Sequence, residues 1–369
     1  MPTSAPNPLR GEILRLAHAG LDLNEFGRRA ASALRSAVPF DGVAVVAFDP
    51  ATALPIGEWV DNALVGDAGA RLLDIELSEP DVNKFSELAA SGRPAASMSE
   101  ATGGNLELSR RHRELKRPHG FGDELRSMCV AGSGAWGAIV LHRELGAPNF
   151  TPRDVELVAS SSGEFAEAFQ RMSLQRDLST ATTQPRHRDP GLLLLDDEDG
   201  IEMANATAAA WLDDLHDDGH SLPLVVTAVA LRARAIAAGH SDAPATARAR
   251  TASGRWVLAR GSMLRNGTHA RTAVTLTPAG APELAELIAD AYGLTARERR
   301  VTELVAQGLP SAAIAARLHL SSYTVQDHLK AIFEKLDVSS RGQLVARLFL
   351  DHYQVNGRLS DPRRREPCG

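Results

Sequence analysis

Residues 294–336 constrain the fold more than any other part of the chain, because their pattern predicts three short helices joined by tight turns. Thr295 and Glu298 have the Thr-x-x-Glu spacing of a capping box, which predicts where the first helix begins. Gln307 and Gly308 form a glycine stop that ends it. The capping candidates of the next two helices are Ser311 and Ser321. Three short helices at this spacing are typical of a helix-turn-helix unit.

The third of these helices, residues 322–336, has one apolar face and one polar face. Its apolar positions recur at steps of four, three and four: Val325, Leu329, Ile332 and Leu336. The opposite face carries Tyr323, Gln326, Asp327, Lys330 and Glu334, and the flanks carry Thr324, His328 and Lys335. Such a helix suits base reading in the major groove of DNA. An ordinary amphipathic helix with solvated charges has the same spacing, so the pattern alone leaves both interpretations open.

The start of this helix offers a second kind of contact. Ser322 and Thr324 lie at its N-terminus, where free backbone N–H groups and the partial positive charge of the helix can bind a phosphate. Residues 294–350 contain eight Arg and Lys against five Asp and Glu, a net charge of +3, whereas the whole chain carries −6. Local charge decides whether a surface meets nucleic acid, so this change of sign favours a DNA contact.

The residues themselves resemble a known family. The motifs LTxRExxV and IAxxLxLSxxTVxxHLKxIFxKL, followed by a Ser-Arg pair, are similar to the LuxR/FixJ-type helix-turn-helix. The resemblance implies that Gln326, Asp327 and Lys330 reach base edges in the groove. The residues that it places toward the DNA backbone are Thr324, His328 and Lys335, and Ser322 and Tyr323 complete the expected contact surface.

Asp327 departs from the family pattern, in which an uncharged or basic residue is common at this position. An aspartate can accept a hydrogen bond from cytosine N4, but it repels phosphate. We therefore expect Asp327 to raise selectivity and to lower the affinity for non-specific DNA.

Composition limits the rest of the chain to ordinary globular domains. The 369 residues are enough for two or three domains, and 44% hydrophobic and 23% charged residues are usual values. No apolar run approaches the ~18 residues of a membrane helix, and the N-terminus lacks a secretory signal pattern. Cys129 and Cys368 form no metal-ligand pattern. We expect a cytoplasmic protein without membrane attachment or bound metal, with Cys129 in the core.

Residues 9–178 are expected to form a first sensory domain. The expected elements are a helical stretch at 9–38, a strand at 42–50, a strand pair at 124–144 and a helix that begins at Thr151. This order resembles a GAF domain, an α/β sandwich. Asn83, Lys84 and Phe85 are similar to part of the nucleotide-binding motif of some GAF domains, but they are contiguous here rather than dispersed. We therefore favour an unidentified small molecule, or dimerisation alone, over cyclic-nucleotide binding.

Residues 190–277 are expected to form a second sensory domain. The expected elements are a strand that ends in an acidic turn, a strand at 201–204, helices from 205 and at 222–238, and strands at 246–252, 255–264 and 270–276. Two strands, helices and three antiparallel strands resemble a PAS fold. A phosphoryl-accepting receiver domain also begins with an apolar strand and paired acids. It needs a later lysine, however, and none occurs between Lys116 and Lys330, so we reject a receiver.

This middle segment also gives no sign of catalysis. Trp211 and Trp256 are expected in the core rather than around a cofactor. Neither a glycine-rich phosphate loop nor a nucleophile–base arrangement is visible in the sequence, so we expect no enzyme activity.

The sequence therefore predicts a multidomain α+β protein. Its expected parts are a GAF-like α/β sandwich at 9–178, a PAS-like α+β domain at 190–277, an all-α four-helix helix-turn-helix domain at 283–352, linkers at 180–190 and 277–282, and a disordered tail at 353–369. The expected function is that of a one-component transcriptional regulator, whose sensory domains control binding to double-stranded DNA. No cofactor is evident, and the expected input is an unknown small-molecule effector or a partner.

The resemblance also implies partners. A homodimer is expected, because one reading helix covers half of a two-fold site, and RNA polymerase is a further candidate. Two alternatives stay open. One is a sensory or scaffold protein whose C-terminal helices only dimerise. The other is a sigma-factor-like promoter-reading module, although the upstream sequence shows no aromatic- and basic-rich melting domain.

Overall fold

The described part of the chain comprises residues 8–132, 134–174, 189–215, 221–267 and 269–347 of a computed structural model. It divides into two compact units, with the boundary between Ala279 and Gly280. Most of the linker expected at 180–190, the end of the helix expected at 343–352 and the tail at 353–369 lie outside the described residues. Among the residues described, no helix is long and apolar enough to cross a membrane.

The first half of the N-terminal unit is a five-stranded antiparallel sheet with helices around it. Its strands are β1 (Gly42–Asp49), β2 (Leu54–Asp61), β3 (Ala95–Ser97), β4 (Phe121–Ala131) and β5 (Gly134–Glu144). Its α-helices are α1 (Pro8–Ala17), α2 (Leu23–Arg35), α3 (Gly66–Ser78), α4 (Phe85–Ala90), α5 (Met98–Ala101), α6 (Pro152–Ala159) and α7 (Ser162–Leu174). The strand order is β2-β1-β5-β4-β3. The expected strand pair at 124–144 is confirmed as the β4–β5 hairpin.

Local capping explains where these helices begin. The helix expected at Thr151 is confirmed: Thr151 and Asp154 form a capping box around α6, with Pro152 in the first turn. The helical stretch expected at 9–38 is two helices instead. Gly20, at a φ of 68°, turns the chain after α1, and the Asp22 carboxylate accepts a hydrogen bond from the Glu25 backbone N–H at 2.8 Å to start α2.

The second half of the N-terminal unit is another five-stranded antiparallel sheet. Its elements are β6 (Gly191–Leu195), β7 (Ile201–Ala204), α8 (Ala206–Leu215), α9 (Leu224–Ala237), β8 (Thr246–Arg250), β9 (Trp256–Asn266) and β10 (His269–Pro278). This succession confirms the expected two strands, helices and three antiparallel strands. The strand order is β7-β6-β10-β9-β8, so each sheet orders its own strands as second, first, fifth, fourth and third.

One hydrophobic cluster contains residues of both halves. α9 packs on β9 and β10 on one side and on β2 and α3 on the other, which explains why nearly its whole length is buried. Leu54 of β2 belongs to the same buried cluster as Val225 and Val229 of α9. A buried ion pair also joins the halves: Nη2 of Arg248 in β8 lies 2.5 Å from Oδ1 of Asp49 in β1.

A cluster of buried charges lies at β4 in the first half. The Glu124 carboxylate is fully buried and pairs with Arg111 at 2.8 Å, with Arg126 at 2.7 Å and with the ammonium of Lys116. Burial alone would raise the pKa of Glu124, but Arg111 and Arg126 hold it well below its ordinary value. Burial lowers the pKa of Lys116 to about 8, although Glu124 opposes this shift.

The sequence predicts that three residues lie in the core: Cys129, Trp211 and Trp256. Cys129 and Trp211 are buried, as expected. Burial raises the pKa of the Cys129 thiol, which makes it a poor nucleophile. Trp256 is only half-buried, because it is the first residue of β9 and lies at the end of the strand.

Candidate nucleic-acid interface

The C-terminal unit is entirely helical in its described residues. Its helices are α10 (Ala281–Ala291), α11 (Ala296–Ala306), α12 (Ser311–Leu318), α13 (Ser322–Leu336) and α14 (Arg341–Val345). α10 was not expected, because residues 277–282 were interpreted as a linker. Instead, β10 extends to Pro278 and α10 begins at Ala281, so only two residues lie between them.

Side-chain caps determine where the first and third helices of the motif, α11 and α13, begin. Thr295 and Glu298 form the expected capping box, in which the Thr295 N–H donates to the Glu298 carboxylate at 2.7 Å. Gly308, at a φ of 79°, follows the end of α11. Ser321 caps α13 by accepting a hydrogen bond from the Thr324 N–H at 3.0 Å.

The expected capping role of Ser311 is wrong. Pro310 occupies the cap position of α12, and Ser311 is the first helical residue. The Ser311 hydroxyl accepts hydrogen bonds from Nη2 of Arg341 at 2.7 Å and from Nε2 of Gln326 at 3.3 Å. Ser311 therefore links α12 to α13 and α14 instead of capping its own helix.

The two faces of α13 differ as its sequence predicts. Its four periodic apolar residues are buried: Val325, Leu329, Ile332 and Leu336. α11 and α12 pack against α13, and α12 contributes the buried side chains of Ile314 and Ala315. The small Ala315 allows a close approach of two crossing helices.

The polar face of α13 is exposed. The exposed residues are Ser322, Tyr323, Gln326, Asp327, Lys330 and Glu334. Tyr323 is 77% exposed, the largest value among the exposed large hydrophobic residues described. Thr324 and His328 are half-buried on the flank. Within the described residues, no hydrogen bond or ion pair holds the Lys330 ammonium, which leaves it available to a partner.

Lys335 is positioned differently from the other expected contact residues. It lies in the last turn of α13, and its ammonium donates to the Gly293 carbonyl at 2.9 Å and to the Glu298 carboxylate at 2.6 Å. Burial would raise the pKa of Glu298, but hydrogen bonds from Lys335 and Thr295 outweigh it and lower that pKa. Lys335 thus ties the end of α13 to the start of α11.

Comparison with known proteins identifies this helical unit. Residues 293–348 match the family model described as "Bacterial regulatory proteins, luxR family". A longer alignment joins the chain to the nitrate/nitrite response regulator protein NarL of Escherichia coli K12, with 31% identity over 164 residues. That alignment covers 42% of this chain and 70% of NarL. The chain belongs to the LuxR family of bacterial regulatory proteins.

Two further relatives of this LuxR-family chain match it over shorter segments. A putative HTH-type transcriptional regulator of Aeromonas salmonicida is 49% identical over 59 residues, or 16% of this chain and 30% of that protein. The transcriptional regulatory protein DesR of Bacillus subtilis is 44% identical over 68 residues, or 18% of this chain and 34% of DesR. This LuxR-family chain therefore spans about a third of the length of each of these two relatives.

Two solved structures illustrate the structural comparison. The VqsR LBD domain of Pseudomonas aeruginosa aligns with 47% of this chain and 100% of its own length, at 13% identity and a TM-score of 0.32. Escherichia coli SdiA aligns with 95% of this chain and 98% of its own length, at 11% identity and a TM-score of 0.31. At these scores the alignments do not constrain the fold of the LuxR-family chain.

One positioning residue of this LuxR-family chain was missed in the sequence. Arg341 of α14 donates to the Leu309 carbonyl at 2.8 Å and to Ser311, which in turn accepts from Gln326. Arg341 thereby fixes the loop before α12 and the hydroxyl that contacts Gln326. The Ser-Arg pair of the family motif was visible, but a chain of three hydrogen bonds cannot be inferred from spacing.

Proposed function

We propose that the C-terminal unit of this LuxR-family chain binds specific double-stranded DNA with α13 in the major groove, and that the chain regulates transcription in this way. The observation that carries the proposal is the division of α13. One face holds α13 in the helical core, while hydrogen-bonding side chains cover the exposed face. A rigid helix with an exposed polar face is the element that major-groove recognition requires.

The proposed contacts fall into two groups. Gln326, Asp327 and Lys330 read base edges, because they are exposed on the same face of α13. The proposed contacts to the DNA backbone are Ser322, Tyr323, Thr324 and His328. Ser322 and Thr324 belong to the first turn of α13, where the partial positive charge of the helix N-terminus favours a phosphate, although the Thr324 N–H itself donates to Ser321.

Lys335 differs from the other proposed contact residues because its ammonium already has partners. Its ammonium is engaged by Glu298 and the Gly293 carbonyl, so a phosphate contact by Lys335 would require it to share or exchange these partners. We propose that Lys335 acts mainly by positioning α13 and contributes less to DNA affinity than Lys330.

We further propose that the N-terminal unit is the sensory part of the chain, with a GAF-like domain at 9–178 and a PAS-like domain at 190–277 that act on a DNA-binding domain at 283–352. Support comes from the matching strand orders of the two sheets and from their shared core around α9. A shared core lets a ligand in one half influence the other half, because both must repack together. A small-molecule effector is the proposed input.

The proposed active species is a homodimer. One α13 reaches only a half-site, and two copies related by a two-fold axis would read a palindromic operator. RNA polymerase is the proposed partner through which bound dimer alters transcription. This proposal assigns no catalytic step to the chain.

Selection of bound sequences from random duplex DNA by the full-length chain tests the proposal. Support would be an enriched, two-fold symmetric sequence whose binding weakens steeply with salt, because phosphate contacts release counterions. Enrichment of no sequence, together with a stable dimer by sedimentation, would favour a scaffold whose helices only dimerise. An enriched asymmetric sequence bound by a monomer would contradict the dimer but keep the DNA-binding role.

A further inference from the structure

A cavity of about 390 Å³ lies within the N-terminal unit, at the junction of its two halves. One wall is the face of the first sheet, another is α3, and the third is formed by α9 with the residues on either side of it. A volume of this size is within the range of small-molecule sites. Because elements of both halves line the cavity, a bound molecule would contact both predicted sensory domains.

Most of the cavity wall is apolar. The first sheet contributes Val46 and Phe48, α3 contributes Leu73 and Leu77, and α4 contributes Phe85. Such a wall favours a ligand with a hydrocarbon or aromatic body, because burying that body removes apolar surface from water.

The charged groups that line the first-half side of the cavity are already paired. Arg126 donates to the Glu76 carboxylate at 2.7 Å and also pairs with Glu124. The Lys84 ammonium donates to the Glu79 carbonyl at 2.8 Å. These groups therefore need no ligand to compensate their burial.

Arg232 of α9 is the exception. It lines the cavity and is only 8% exposed. Its Nε is buried without a hydrogen-bond partner, and no carboxylate among the described residues forms an ion pair with its guanidinium. Burial, the one cause at work, lowers the pKa of Arg232 from its ordinary value.

Arg234, two residues further along α9, shows what a compensated arginine looks like in the same helix. Its guanidinium pairs with Asp199 at 2.7 Å and donates to the Thr272 hydroxyl at 2.9 Å. A buried cation without such partners is costly, so a chain that buries one usually supplies its counter-charge. The described residues supply none for Arg232, and the cavity beside it has room for one.

We propose that this cavity binds a small amphipathic organic anion, whose apolar body lies against the first sheet and α3 and whose acidic group pairs with Arg232. A carboxylate, sulfonate or phosphate monoester would each accept the charge-assisted hydrogen bonds that the guanidinium offers. The inference rests on the proposed function in one respect, since it names the chemical class of the effector. Binding itself does not depend on DNA.

The test uses two fluorescent probes with the same aromatic body and the full-length chain without DNA. 8-Anilino-1-naphthalenesulfonate carries a sulfonate, and N-phenyl-1-naphthylamine lacks it. We expect Arg232→Met to weaken binding of the sulfonate by about tenfold or more, because a hydrogen-bonded charge is lost. Binding of the neutral probe should not weaken, and an unchanged near-UV circular dichroism spectrum checks that the variant is folded.

Two further variants complete the design. Arg232→Lys keeps a cation and should retain most of the sulfonate affinity. Ala70→Phe fills the cavity from α3, where Ala70 lines the wall, and should weaken both probes. The inference would be overturned if Arg232→Met weakened the binding of both probes equally. It would also be overturned if the sulfonate bound Arg232→Met or Ala70→Phe as tightly as it binds the unmodified chain. Because no DNA is present, that failure would leave the DNA-binding proposal intact, and loss of DNA binding would leave this result unaffected.

Discussion

Replacing Asp49 with Asn should destabilise the N-terminal unit strongly, because it removes the charge of a carboxylate that pairs with a buried arginine. Asp49 and Arg248 are 2% and 4% exposed. The Asp49 Oδ2 accepts from the Arg248 backbone N–H at 2.7 Å and from its Nε at 2.9 Å, while Oδ1 accepts from Nη2 at 2.5 Å. Asn has the shape of Asp, so the change removes the charge and leaves the packing.

The expected cost follows from the burial of the pair. Removing one partner of a buried ion pair typically costs about 3–5 kcal/mol. For a unit of this size, 1 kcal/mol shifts the midpoint of thermal unfolding by about 2–4 °C, so Asp49→Asn should lower it by roughly 6–20 °C. The double variant with Arg248→Met should lose less than Asp49→Asn alone, because it removes the buried cation together with the carboxylate that paired with it.

Urea unfolding followed by tryptophan fluorescence measures this cost. All four tryptophans of the chain, at 59, 136, 211 and 256, lie in the N-terminal unit, so the signal reports that unit. Arg28→Ala, an exposed arginine of α2 paired only at the surface, is the control and should change stability little. A cost below about 1 kcal/mol for Asp49→Asn would refute a buried pair that couples the two halves. The same conclusion would follow if the free-energy losses of Asp49→Asn and Arg248→Met, measured singly, added up to the loss of the double variant.

Two further predictions concern charges elsewhere in the chain. The pKa of Lys116 is about 8 in the folded chain against 10.5 for an ordinary lysine, so the unfolded chain binds an extra proton between these pH values. Relative to Lys116→Met, the unmodified chain should therefore gain about 3 kcal/mol of stability in urea titrations as the pH increases from 8 to 10.5, whereas the raised pKa of the buried Cys129 thiol affects both proteins equally; parallel pH profiles for the two proteins would disprove it. Asp327→Asn should raise the affinity for random duplex DNA several-fold, because an exposed carboxylate no longer repels phosphate. The ratio of the affinity for the selected site to the affinity for random DNA should therefore fall. Fluorescence anisotropy on both DNAs checks this, and an unchanged affinity ratio would count against Asp327 facing the DNA.

The elements that sequence predicted are those whose ends carry strong local signals. The capping box at Thr295 and Glu298, the glycine stop at Gly308 and the serine cap at Ser321 depend on neighbouring residues only, so spacing reveals them. The same holds for the β4–β5 hairpin and for the last three strands of the second sheet, which follow clear turn residues.

The missed elements lack such signals. β2 contains Pro55 and Gly57, which argue against a strand, but β2 is at the edge of its sheet, where proline is tolerated. β3 is three residues long and is also at an edge. α3 begins without a side-chain cap, at Val65. In these cases tertiary packing decides the structure.

Long-range charge pairing could not be predicted. Asp49 and Arg248 are 199 residues apart, and no local pattern connects them. The same limit applies to Lys335, which was expected at the DNA backbone and instead pairs with Glu298 on a different helix. Arg232 lies in a helical stretch that was predicted, but only the packing of α9 between two layers reveals that its guanidinium is buried.

The affinity of Lys330→Ala for the selected DNA site is the most direct measurement of the central claim, that the exposed face of α13 reads DNA. Lys330 is exposed in the middle of that face, and its ammonium is not held by other described residues. If Lys330 makes a good base contact, its removal should weaken specific binding by about 1–3 kcal/mol, with a smaller effect on random DNA. Arg28→Ala, which removes the same charge from the N-terminal unit, should bind both DNAs as the unmodified chain does. Unchanged affinity of Lys330→Ala for both the selected and the random DNA would contradict the claim.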